Sequence, residues 1–119
     1  MTSLIKFDLA NLGEGTPGKP VSGREVDGDP LFTNWPMDDA GGGVRAGVWE
    51  VTPGAYRSIK GTTWEFCSIL SGVSEITEDG EEPVVMRAGD AFVMKPGFVG
   101  TWRCIETTRK LWVVRENAA

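Results

Sequence analysis

The stretch WEFCSILSG, Trp64 to Gly72, decides how this chain is read. Its side chains alternate in character with a period of two, the pattern of a half-buried strand, and show no helical stripe. That alternation puts Glu65 on one face with Cys67 and Ile69, and Trp64, Phe66 and Leu70 on the other. A carboxylate turned toward a core needs a partner or a task. Histidine, the usual companion of a buried glutamate in a metal site, occurs nowhere in the sequence.

The same period holds on both sides of this stretch. VRAGVWEV (44–51) reads as a strand closed by the turn signal TPGAY (52–56). VSEITEDG (73–80) ends in an Asp-Gly pair that predicts a hairpin. EPVVMRAGD (82–90), AFVMKPG (91–97), FVGTWRCIE (98–106) and TRKLWVVRE (108–116) continue the ladder. Turn signals every roughly 8–12 residues are the mark of a sandwich or barrel. The fold class expected is all-β.

Composition narrows the rest. In 119 residues there is room for one core, and sixteen glycines with seven prolines suit short strands joined by many turns. A net charge of −5 without a Lys/Arg stripe argues against nucleic acid as a partner, and no apolar run approaches the ~20 residues of a membrane span. The opening MTSLIKFDLANLG lacks signal-peptide architecture, and two cysteines fit free thiols in a reducing compartment, so a cytoplasmic location is expected. Residues 1–43, rich in Gly, Pro and Asp, are expected to form an irregular N-terminal arm. Leu31, Phe32 and Trp35 would anchor it on the barrel or on a partner subunit, leaving 44–116 as the folded domain.

Glycine spacing then becomes informative. Glu65, six residues and Gly72 match the second half of a motif that reads Gly-x5-His-x-His-x3,4-Glu-x6-Gly in full. Gly89 and Gly97 match the glycines of Gly-x5-Pro-x-Gly-x2-His-x3-Asn, with Lys95 at the proline position, and Gly100 and Cys104 at the histidine and asparagine positions. The sequence thus resembles the cupins, double-stranded β-helix (jelly-roll) barrels. AGVWEVTPG and the GTW…RKLWVV tail resemble the small single-domain cupins grouped with ureidoglycine aminohydrolase and the ethanolamine-utilisation cupin.

In metal-binding members of that family, three histidines and the glutamate hold the ion. Counting forward from Gly54 puts the paired-histidine places on Lys60 and Thr62; counting back from Glu65 puts them on Ser58 and Lys60, or on Ile59 and Gly61. The last ligand place is Gly100. One carboxylate does not retain a transition metal against water, so no metal and no cofactor is expected.

What the resemblance leaves inside the barrel is Glu65, as the candidate catalytic residue, with Cys67, Trp102 and Cys104, and Tyr56, Trp49 and Lys95 as candidate ligand contacts. The alternative reading makes Glu65 one half of a structural pair neutralised by Arg57, Arg103 or Lys60, Trp102 a core residue, and the two thiols small buried hydrophobes. The expected function is metal-independent binding of a small polar or nitrogenous metabolite, with Glu65 accepting hydrogen bonds. Two alternatives stand beside it. One is an enzyme acting on a ureido, amide or amino-alcohol compound, using a Glu65 whose pKa is raised by burial. The other is a structural or regulatory dimer with a vestigial, filled pocket. A homodimer through outer strands and the arm is expected in each case.

Overall fold

A computed structural model describes residues 2–116. The long strand β9 (Val99–Arg115) is its axis. Every even-numbered residue from Gly100 to Cys104, and again from Thr108 to Val114, is buried, while the odd-numbered ones are partly or fully exposed, as a strand with one face on a core requires. The equally long β6 (Trp64–Glu78) lies antiparallel along one side of it, with Glu65 opposite Val114 and Ile76 opposite Trp102. On the other side, β4 (Val44–Val51) pairs with the second half of β9 and β5 (Gly54–Ile59) with the first half.

β3 (Phe32–Gly41) extends the sheet from β4, and β1 (Thr16–Gly18) extends it from β3; β2 (Glu25–Gly28) pairs with β5. Beyond β6 lie β8 (Ala91–Met94) and β7 (Val84–Arg87), the latter forming the hairpin that Asp79-Gly80 predicts. All pairings are antiparallel. The architecture is all-β and jelly-roll-like, a single ladder curled into a cup.

The curl has a local cause. Between Ile69 and Ser74 the β6–β9 register shifts three times, and the inward positions on β6 change from odd (65, 67, 69) to even (74, 76). Gly72 stands at this bend with φ +87, and a Cβ there would overlap the carbonyl of Thr107 on β9. Only glycine gives both the left-handed backbone and the close approach. The bend folds the two halves of the ladder face to face, so that Trp49 of β4 meets Trp102 of β9 edge-on, ring centroids 5.4 Å apart. The core between the halves is Cys67, Ile69, Ile76, Met94 and Trp102. At its base Trp102 Nε1 donates to Ser74 Oγ (3.0 Å), which bonds Thr108 Oγ1 (2.7 Å), which in turn donates to the Glu106 carbonyl (2.8 Å).

Three sequence readings are corrected. Residues 1–43 are not irregular throughout: β1, β2 and all of β3 lie there. The reason is that outer strands join a sheet through backbone bonds, so their side chains, exposed in β1 and β2, carry no apolar alternation. Trp35 does anchor the preceding segment, donating to the Gly13 carbonyl at 3.0 Å, and Phe32 faces inward, but Leu31 is half exposed. TPGAY is not a turn throughout, since Gly54 already begins β5. Finally, 64–72 with 73–80, and 98–106 with 108–116, are not four strands. They are the halves of β6 and β9, each bent without breaking.

Candidate functional site

The open end of the cup is a cleft of about 440 Å³. Glu65 forms its floor, on an inward position of β6 and 5% exposed. Lys110 is inward on β9, also 5% exposed, and donates to Glu65 Oε2 at 2.9 Å. Lys60 stands one residue past β5 and keeps the inward, even-numbered alternation of Tyr56 and Ser58. Its backbone N–H is tied to the Phe98 carbonyl, and its ammonium donates to Glu65 Oε1. The Cys67 thiol donates to Oε2 at 3.3 Å. Both carboxylate oxygens are thus occupied by protein donors.

Aromatic rings hold the buried cation from the sides. Lys110 Nζ lies 4.5 Å from the Trp49 ring centroid and 4.6 Å from that of Trp102. Both rings offer their electron-rich faces to it. Tyr56 stacks on Trp102 with an interplanar angle of 18° and, with Phe32 and Trp49, forms the aromatic wall of the cleft. A second wall comes from the segment expected to be an arm, through Pro17, Lys19 and Arg24.

These contacts set the charge states. Burial works to raise the Glu65 carboxyl, but the ammonium groups of Lys110 and then Lys60 outweigh it and hold the group at about 2, against an ordinary 4.5. Burial alone would favour a neutral Lys110. The acidic groups around it, Cys67 and Glu65 among them, reverse this and hold it above its ordinary value. The floor therefore carries two ammoniums and one carboxylate.

An acid limb of stability follows. Glu65 titrates lower folded than unfolded, so its contribution is complete above about pH 4.5 and is lost as pH falls toward 2. Linkage puts it on the order of 3 kcal/mol. Urea unfolding between pH 2 and 6 should show wild type losing that much more stability than Glu65→Gln; parallel profiles would refute the assignment.

The sequence candidates divide. Glu65, Tyr56 and Trp49 line the cleft together. Trp102 does not: it is fully buried beneath Tyr56 and fills the core. Cys67 is fully buried behind Glu65. Cys104 lies at the base of the cup, its thiol donating to the Val51 and Glu106 carbonyls at 3.3 and 3.2 Å. Lys95 is exposed in the turn after β8. Of the partners considered for Glu65, Arg57 pairs with Asp79 and Arg103 with Asp27; Lys60 is the one that reaches it. The direction expected for the Glu65 carboxyl is also corrected: burial raises it, but the two cations outweigh burial and lower it. Lys110 was missed, although continuing the alternation from Trp102 and Cys104 reaches it.

The thiols are expected to be inert in the folded state. Burial pushes Cys67 up to about 12 and raises Cys104 as well. Ellman's reagent should find no fast thiol in native protein and two in denaturant. A fast native thiol would contradict this burial.

Residues 39–112 match the family model described as the EutQ-like cupin domain. The chain belongs to the EutQ-like cupin family. Solved structures share the fold of this cupin. The Schizosaccharomyces pombe Cnp3 cupin domain superposes with TM-score 0.64 at 17% identity, covering 72% of this chain and 65% of that one. A protein of unknown function from Pseudomonas syringae pv. tomato gives 0.73 at 21%, covering 87% and 45%. The EutQ protein of Clostridium difficile gives 0.66 at 13%, covering 90% and 98%. This cupin thus spans less than two thirds of the first two. No curated protein matches the sequence.

The ion that many cupins hold does not fit the donors of this cupin. Among the described residues no three His, Cys, Asp or Glu side chains converge. Glu65, matching the family's motif glutamate, gives its oxygens to two lysines instead. Lys60 occupies the place that counting assigns to a ligating histidine. A third cation beside two ammoniums would meet repulsion with few donors to offset it.

Proposed function

We propose that this cupin binds a small metabolite, without a metal, in the cleft above Glu65, Lys60 and Lys110. The observation that carries the reading is the cleft itself. It is open, about 440 Å³, walled by aromatic rings and floored by a few fixed polar groups, the usual make-up of a small-molecule site. A vestigial pocket would instead be filled by side chains. An amine-binding role for Glu65 is set aside, because its oxygens already accept from Lys60, Lys110 and Cys67.

Thermal-shift screening of a metabolite library tests the reading. A ligand at about 100 times its Kd should stabilise the fold by about 2.7 kcal/mol, and treatment with a chelator should leave the shift unchanged. A stoichiometric divalent ion in protein as purified, or loss of binding after chelation, would overturn it. Homodimerisation through the outer strands belongs to the same proposal and is supported by the half-exposed Val84, Val85 and Val93 on β7 and β8. A monomer at micromolar concentration in light scattering would remove that part.

A further inference from the structure

We infer that the ligand is a small organic carboxylate, its charged end over Lys60 and its body against Tyr56 and Trp49, an inference that rests on the small-molecule reading above. The first ground is how charge is distributed. The whole chain is acidic, with seventeen Asp and Glu against twelve Lys and Arg. The cleft inverts this balance: Lys19, Arg24, Arg45, Arg57, Lys60 and Lys110 line it, half of all the basic residues, against Glu65 as its one acid.

The second ground is how these cations are paired. Arg45 pairs with Glu116, and Arg57 with Asp79, whose carboxylates lie outside the cleft lining. Lys19 and Arg24 at the rim form no ion pair among the described residues. At the floor one carboxylate serves two ammoniums, which leaves a surplus positive charge in a place where charge is poorly hydrated.

The third ground is the geometry of donors. An ammonium has three N–H groups. Lys60 uses one on Glu65 Oε1, and its side chain stays 17% exposed, against 6% for Lys110. Lys60 is therefore the cation a ligand reaches, while Lys110 is fixed behind it. The hydroxyl-bearing Ser58, on the same inward row, also lines the cleft. A neutral ligand would strip water from Lys60 without restoring charge balance. A cationic one would meet two like charges. An anion meets both needs at once, and the surrounding positive field would draw it in.

A panel of matched probes tests this: benzoate, benzamide and benzylamine, together with further aryl and alkyl acid/amide pairs, followed by indole fluorescence and ligand-observed NMR. Acids should bind at least about tenfold more tightly than their amides, with amines weakest. Lys60→Met should remove the difference and Lys60→Arg should keep it. The rim double variant Lys19→Ser/Arg24→Ser, which removes no ion pair among the described residues, should weaken acids more than amides and leave stability unchanged. Amides or amines binding as tightly as acids would overturn the charge inference and leave the small-molecule reading standing. Silence from the whole panel up to about 10 mM would overturn both.

Discussion

Glu65→Ala is expected to destabilise the fold by about 3–5 kcal/mol, more than removing either lysine. The substitution leaves the Lys110 ammonium, 5% exposed among Trp49, Trp102 and Cys67, with no counter-charge. Water cannot reach it well enough to replace the carboxylate. Lys110→Met keeps most of the volume and leaves Glu65 its contact with Lys60, so about 2 kcal/mol is expected. The double variant removes the stranded charge along with its partner. It should be less destabilised than the sum of the singles by at least about 1 kcal/mol. Chemical denaturation of the four proteins measures the cycle. Losses that add to within about 0.5 kcal/mol would show that the two groups do not interact as the geometry requires.

Gly72→Ala is the second large effect. With φ +87, an alanine there takes a backbone conformation that costs roughly 1–2 kcal/mol by itself. Its Cβ would also overlap the Thr107 carbonyl on the neighbouring strand, where no flexible side chain can move aside. Relief would need β6 and β9 to separate at the bend that closes the cup. A total on the order of 4 kcal/mol or more is expected, with little folded protein recovered. Gly80→Ala is the control, since Gly80 has a similar φ of +85 but open space around its Cβ. If the two variants lost stability equally, the close approach at Gly72 would contribute nothing.

Most of the strand ladder is legible in the sequence because each central strand has one face on the core. The outer strands are not, for β1 and β2 expose every side chain and join the sheet through backbone bonds, with the surface Arg103–Asp27 pair added at β2. The site is legible to the same extent. Glu65 follows from alternation and Lys60 from counting the motif. Lys110 hides because residues 105–107, exposed at the bend, look like a gap between strands, so the inward row running from Trp102 to Lys110 goes uncounted. The partner of Trp102 was equally out of reach: the register shifts near Gly72 reset the facing of β6, and only then does Ser74 turn inward. The rim cations Lys19 and Arg24 belong to a segment whose sequence has no periodicity to place them.

The lysine clasp on Glu65 has one more consequence. The positive charge that faces Glu65 belongs to side chains of the chain itself, so it is present from synthesis and no chelator can remove it. What is surrendered is adjustability: a tethered ammonium has a single valence and a single reach. Evolution can retune such a pocket only by changing the walls.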